Sequence, residues 1–233
     1  MNSAPDTTLT LTRIRPNLQN RDARRDLAGP GSLHKTLMLL APEGLGQHPR
    51  QAAGLLYRLE HATRSTPPTL LIQSHLPPDL ARLPSHYGTA ETRDLNPMLQ
   101  ALTAGRRVRY RITAAPSVRR WVDTGDPFFD PGRRHQEIPL HDDDALRWWQ
   151  RKAANAGLKP HHTELTPQQP SHRPIVRQPE PGSERKPDVF RHNLTRFDGT
   201  AIITDPDQLR HAVTAGIGRG KPYGAGLLSL APA

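Results

Sequence analysis

Three groups of residues in this chain have the types and spacing to do chemistry on an anion. The first is His34-Lys35, placed shortly after Pro30 and Ser32, which supply helix-start chemistry. The positive end of a helix disfavours imidazolium and attracts anions, so a histidine there stays available as a proton acceptor beside a bound phosphate. The second is the run from Gly216 to Ser229, with five glycines in its first eleven residues. Backbone amides freed from side chains approach phosphates closely, and between Gly218 and Gly220 the run carries Arg219, with Lys221 following. The third is a set of cations: Arg24 and Arg25 ahead of the histidine helix, and Arg173, Arg177, Arg185 and Lys186 in a proline-rich stretch. Each has a plainer reading. Any one of twelve histidines is more often ordinary than catalytic, a glycine run also serves as a tight helix-to-strand connection, and arginines often only solvate a surface.

Several familiar chemistries are excluded or weakened. The glycine run is not a Walker P-loop, because Pro222 follows Lys221 and a strand rather than a helix comes next. It is not a dinucleotide fingerprint, because the third glycine is replaced by Lys221 or Tyr223 in the two possible registers. With no cysteine in the chain, thiol nucleophiles, disulfides and cysteine-bearing zinc sites are out. His161-His162 with His172 lack an acidic cluster and lie among prolines, which reads as solvated loop histidines rather than a metal site. No metal and no cofactor is expected.

The elements that must hold these groups are legible in part. Thr8 to Arg15 alternate as a strand, and Leu33, Leu37 and Leu40 share one helical face that places His34 at its edge, in the first turn and exposed. Pro16 to Gly29 reads as an arginine-bearing loop, Arg50 to Leu59 as a second helical patch, and Thr69 to Gln73 as a strand. Val108, Tyr110 and Ile112 alternate with Arg107, Arg109 and Arg111, giving a strand with one apolar and one guanidinium face; the latter is either merely solvated or separated by phosphate. Asp142 to Asp144 open a helix with Leu146, Trp149 and Ala153 inward, Trp148 remaining open between packing and base stacking. Asp205-Pro206 cap another that stops at Gly216. The seven prolines of 159–188 make that stretch a loop or a long irregular hairpin. The order fits an α+β fold of two split β-α-β units, with 1–116 as the first unit, 117–141 as a connection and 142–233 as the second, carrying an insertion at 159–188.

Composition sets the partner class. A formal charge of +10 favours a polyanion through steering and counterion release, although basicity of this size is also found without nucleic acid. The apolar share, 34%, is economical, so ordered modules joined by polar loops are expected. No run approaches a membrane span of ~20 apolar residues, and the first residues lack the pattern of a secretion signal. A cytoplasmic protein that does not engage membranes is expected.

Taken together, the segments resemble the CasE family, the repeat-RNA endoribonucleases of type I-E CRISPR Cascade. The resemblance rests on Arg24-Arg25-Asp26-Leu27-Ala28 leading to Leu33-His34-Lys35-Thr36-Leu37, then Leu71-Ile72-Gln73-Ser74, Val108-Arg109-Tyr110-Arg111-Ile112 before Ala114-Ala115-Pro116, Trp149-Gln150-Arg151-Lys152, and the glycine run ending Gly226-Leu227-Leu228-Ser229-Leu230-Ala231-Pro232. It covers residues 8 to 232 in order. It implies two tandem ferredoxin-like (RRM-like, RAMP-type) domains with antiparallel sheets, and RNA across their shared face. It also implies metal-independent cleavage by 2′-hydroxyl attack, giving a 2′,3′-cyclic phosphate, with the hairpin product retained for the other Cascade subunits. The family histidine falls on His34. Some relatives carry a tyrosine three residues before it and a lysine five after, where this chain has Gly31 and Leu39, so the second proton-transfer partner is open and Lys35 is one candidate. Arg24, Arg25, Gly218–Lys221 and the cations of 159–188 are the expected RNA contacts. A catalytically silent RNA-binding subunit of the same fold is the alternative.

Overall fold

The computed structural model describes residues 8–123, 133–168, 175–177, 188–190 and 193–233. Strand β1 (Thr10–Pro16) leads into helices α1 (Arg21–Ala28), α2 (Pro30–Leu39) and the short α3 (Pro49–Ala52), followed by β2 (Leu56–Glu60), β3 (Thr69–Ser74) and β4 (Gly88–Asp94). These strands form an antiparallel sheet in the order β2-β3-β1-β4. After the short α4 (Asn96–Gln100), β5 (Arg107–Ala114) enters a second antiparallel sheet. A ribbon of β6 (Ser117–Asp123) and β7 (Arg133–Pro139) precedes α5 (Asp142–Asn155) and β8 (Leu158–Pro167); a second small ribbon pairs β9 (Ile175–Arg177) with β10 (Asp188–Phe190). The chain closes with β11 (Thr195–Ile203), α6 (Pro206–Ala215) and β12 (Leu228–Pro232), and the second sheet reads β12-β5-β11-β8. That strand order, with α5 and α6 as the crossovers, is a complete split β-α-β unit; the first sheet has the same order, with a 3-10 turn at Leu80–Arg82 standing where its second helix would be. The molecule is therefore two tandem ferredoxin-like units.

Three expectations are corrected. The 107–114 strand does not complete a 1–116 unit, because its hydrogen bonds go to β11 and β12 and its apolar face joins the second core. The connection at 117–141 is a hairpin ribbon rather than a plain linker. The stretch 50–59 is helical only as far as Ala52: Gly54 takes a positive φ of 59° and the chain turns into β2. Conversely, α1 arises inside the expected loop 16–29, where the Asn20 side chain accepts from the Ala23 amide at 3.0 Å and Asp26 is buried against the Tyr87 hydroxyl at 3.1 Å. The 159–188 stretch is partly the irregular hairpin expected of it, since β8 runs into it and β9 pairs with β10.

Two cores result. Leu33, Leu37 and Leu40 pack with Ile14, Tyr57, Leu70 and Ile72, while Trp149, Phe197, Ile112, Leu209 and Val213 form the second. Trp148 is also buried, stacked 6.2 Å from Phe197, so it is a packing residue and not a base platform. Among the described residues no helix is long and apolar enough to cross a membrane.

What joins the halves is polar. The Arg58 guanidinium on β2, 3% exposed, donates to the Leu227 carbonyl at 2.9 Å, the Arg111 carbonyl at 3.1 Å and Ser229 Oγ at 3.0 Å, and pairs with Glu60 at 2.8 Å. Gln73 Nε2 donates to the Val213 carbonyl at 2.8 Å, and the Tyr57 hydroxyl to the Pro222 carbonyl at 3.1 Å. Buried acceptors stranded without a donor cost about 1–3 kcal/mol each. Arg58→Met should therefore lower the unfolding free energy by about 3 kcal/mol in urea titrations, and an unchanged midpoint would show that the junction does not depend on this guanidinium.

Candidate active site

The imidazole of His34 is positioned from below by α2 and from above by the glycine run. Pro30 sets the first helical residue, and Ser32 Oγ donates to the Gly29 carbonyl at 2.9 Å, fixing the α1–α2 junction. Leu33 and Leu37 then anchor one helical face in the core, which leaves the neighbouring His34 at its edge. His34 is the fifth residue of α2, a turn further in than the expected first turn, and it is half-buried rather than exposed. The cover comes from the 3-10 turn Lys221–Tyr223, which lies on α2 with the Tyr223 ring centroid 5.9 Å from the imidazole and tilted by 56°. Nδ1 is buried without a hydrogen-bond partner.

Docking explains most of the glycines. A Cβ on Gly216, at φ 74°, would meet Leu56 at 2.8 Å, and one on Gly224, at φ 89°, would meet the Tyr57 ring at 3.1 Å. Both positions need glycine for backbone sign and for the close approach to β2. Part of the backbone is used internally as well: the Ile217 amide donates to Gly226 O at 2.9 Å, and the Gly226 amide to Thr113 O at 2.8 Å. The amides of Gly218 and Gly220 bond to no other described residue and remain available to a ligand.

The electrostatics around His34 are one-signed. Arg50 of α3 donates Nη1 to the Leu55 carbonyl at 3.2 Å, and Lys221 Nζ donates to the Ala215 carbonyl at 2.8 Å. Burial first, and the Arg50 charge second, hold His34 below the ordinary histidine value. The same two causes, in the same order, make the Lys221 ammonium easier to deprotonate than an ordinary lysine. Among the described residues, none of the three lies within salt-bridge distance of a carboxylate, whereas most other partly buried cations are paired.

The remaining expected residues divide. Arg24 is exposed on α1, while Arg25 is held by Asp22 at 2.7 Å and Asp26 at 3.1 Å. Lys35 is exposed, one residue around α2 from the His34 side, and takes no part in the covered cluster. Arg219 reaches Glu137 on β7 at 3.0 Å, tying the glycine run to the β6–β7 ribbon. Arg177 lies in β9, whose backbone runs beside α2; Arg173, Arg185 and Lys186 lie outside the described residues. The guanidinium face of β5 is answered from within at Arg111, which bonds Asp198 and, at 3.3 Å, Glu60. His161 and His162 are exposed on β8, and among the described residues no group of three or more metal-ligating side chains gathers. The sequence reading missed Arg50, Tyr223 and the exposed ribbon arginines Arg119 and Arg120. Tyr223 stood inside the glycine run, next to a proline that stiffens the turn; nothing local marked Arg50.

Comparison with known proteins follows the same outline. A family described as "CRISPR associated protein" matches residues 9–232. The CRISPR-associated endoribonuclease Cse3 of Thermus thermophilus is 30% identical over 225 residues, 95% of this chain and 99% of that protein. A structure of Thermus thermophilus Cse3 bound to an RNA representing a pre-cleavage complex superposes with a TM-score of 0.74 at 27% identity, covering 97% of this chain and 100% of that chain. A chain of a CRISPR RNA-guided surveillance complex, pre-nicking, gives a TM-score of 0.68 at 38% identity, with 96% of this chain and 100% of that chain covered. On sequence match, length and fold alike, the chain belongs to the CasE family of CRISPR-associated proteins.

Proposed function

We propose that this protein is an endoribonuclease that cuts CRISPR precursor RNA within its repeats and stays on the hairpin product as a subunit of type I-E Cascade, in the cytoplasm. The observation that carries the reading is the half-buried His34 imidazole on α2, held below its ordinary value by burial and by the Arg50 charge, under the turn that carries Lys221. The relatives' names point the same way, since Cse3 is described as an endoribonuclease and as bound to RNA.

The reaction proposed is the one the family resemblance implies, with His34 as the proton acceptor. The ribose 2′-hydroxyl gives its proton to Nε2 of His34, its oxygen bonds the adjacent phosphorus, and the bond from phosphorus to the 5′-oxygen breaks. The products are a 2′,3′-cyclic phosphate and a 5′-hydroxyl, so the chemistry calls for proton transfer and charge stabilisation rather than an activated water. A histidine held below its ordinary value is unprotonated at neutral pH, which fits an acceptor. The hairpin stem is read through phosphates, because the deep major groove of A-form RNA excludes side chains along most of its length. Arg24, the free amides of Gly218 and Gly220, and the exposed Arg119 and Arg120 of the ribbon supply those contacts, joined by Arg177 and the other cations of 159–188.

His34→Ala should slow cleavage of the cognate repeat by roughly 10²- to 10⁴-fold while leaving hairpin affinity at fixed salt within a few-fold. Undiminished cutting would favour the silent-subunit alternative or another nucleophile system. EDTA should leave the wild-type rate unchanged, and loss restored by magnesium would overturn the metal-independent route. The rate should fall as pH drops through the His34 value, below the ordinary 6.5. Arg50→Ala removes a like charge, so the imidazole protonates more readily and that acid limb moves to higher pH, with the Tyr223 ring still over the imidazole.

A further inference from the structure

Lys221 and Arg50 are held in a way that leaves their charge unanswered. Each donates to a backbone carbonyl, Ala215 O for the lysine and Leu55 O for the arginine. A carbonyl fixes the position of a cation without cancelling it. Other buried or half-buried arginines of the protein behave differently: Arg58 meets Glu60, Arg111 meets Asp198 and Glu60, and Arg196 meets Asp198 at 2.7 Å. Two like charges brought together from α3 and the 3-10 turn without a carboxylate repel one another until an anion enters between them. On α2 itself, the two places where relatives carry further polar groups are empty of them: a side chain at Gly31 would meet nothing within 4 Å, and Leu39 is 49% exposed. The second partner of His34 must therefore come from another element.

Resting on the reading of the site as a ribonuclease, we infer that Lys221 is the proton donor to the departing 5′-oxygen and that Arg50 holds the non-bridging oxygens of the scissile phosphate. The step balances. One proton passes from the 2′-hydroxyl to His34, the bond from the 2′-oxygen to phosphorus forms as the bond to the 5′-oxygen breaks, and one proton passes from the Lys221 ammonium to that oxygen. The imidazolium and the neutral amine then return to their starting states by exchange with water. The other groups fit the donor role less well. Arginine does not lose its proton, Lys35 is exposed outside the cluster, and the Tyr57 hydroxyl is occupied by the Pro222 carbonyl with burial pushing its ionisation upward. Lys221 gives up a proton more easily than usual, from burial and from the neighbouring guanidinium. It sits on the same rigid turn, Lys221–Tyr223, that lies against α2.

The experiment uses the full-length protein and two synthetic repeat RNAs, one all-oxygen and one with sulfur replacing the 5′-oxygen at the bond that wild-type protein cuts. A thiolate leaves without being protonated. Lys221→Ala and Lys221→Arg should each slow the all-oxygen RNA by roughly 10²- to 10⁴-fold and cut the sulfur RNA within a few-fold of wild type. The arginine variant keeps the charge, so weaker RNA binding cannot account for its loss, and rescue by sulfur certifies a folded protein. His34→Ala should be slow on both RNAs, and Tyr223→Phe, which removes the hydroxyl of the ring beside the imidazole, is run on both as the competing donor. Full-rate cleavage of the all-oxygen RNA by the Lys221 variants, equal slowing on both RNAs, or sulfur rescue confined to Tyr223→Phe would each overturn the donor assignment. Rapid cutting by His34→Ala would instead overturn the underlying reading of the site, a separate outcome.

Discussion

The buried guanidinium of Arg58 is the constraint on which the rest of the structure depends. It stands at 3% exposure on β2 of the first sheet, yet two of its acceptors, the carbonyls of Arg111 and Leu227, belong to the second half, as does Ser229. An ion this deeply buried is tolerable only when its donors are satisfied. Satisfying them pins the residue just after the glycine run to β2, and Tyr57, next along β2, holds the Pro222 carbonyl. The 3-10 turn is thereby suspended over α2. The candidate site is a consequence of how two ferredoxin-like units are locked together, since α2 comes from one and the 3-10 turn from the other.

The two faces of that junction handle charge in opposite ways. On the sheet side, Arg58, Arg111 and Arg196 are interleaved with Glu60 and Asp198, so each of these arginines has a carboxylate partner. On the helix side, Arg50 and Lys221 donate to carbonyls, and among the described residues neither they nor His34 pairs with a carboxylate. A polyanion gains little by displacing carboxylates from their arginines, and gains a good deal by relieving repulsion among cations that lack them. The asymmetry makes α2 and the glycine turn the more favourable face for a phosphate backbone on electrostatic grounds, and the sheet face carries arginines as well.

Much of this was readable from local signals, and the failures share a cause. Helix α2, with Leu33 and Leu37 inward, announced itself by apolar spacing, α5 by its acidic start, and α6 by Asp205-Pro206. Residues 16–29 look like a loop because α1 buries only Ala23 and Asp26 and has almost no apolar stripe; its stability comes from the Asn20 cap and the Asp26–Tyr87 contact, a partner 61 positions away. Residues 55–59 carry apolar side chains at a spacing compatible with a helix, and only pairing with β3 and the far half makes them a strand. The alternation of β5 was visible, but which sheet it joins is decided by β11 and β12, more than 80 residues on. Likewise in the site, His34 and Lys221 sat in conspicuous segments, whereas Arg50 had no pattern to mark it.

That division has a physical basis in how a ribonuclease of this kind is assembled. His34 is set by a helix, a local structure whose edge position follows from Leu33, Leu37 and Leu40. The cations are set by tertiary approach, through a guanidinium on a four-residue helix and an ammonium on a glycine-bounded turn. With Gly31 and the exposed Leu39 on α2, the charge near His34 comes from other elements, and the turn carrying Lys221 is held by the junction at Arg58 and Tyr57. Loosening the contact between the halves would then separate Lys221 from His34 before it unfolded either sheet, so the integrity of the junction and the chemistry of the site are coupled through one turn of eleven residues, Gly216 to Gly226.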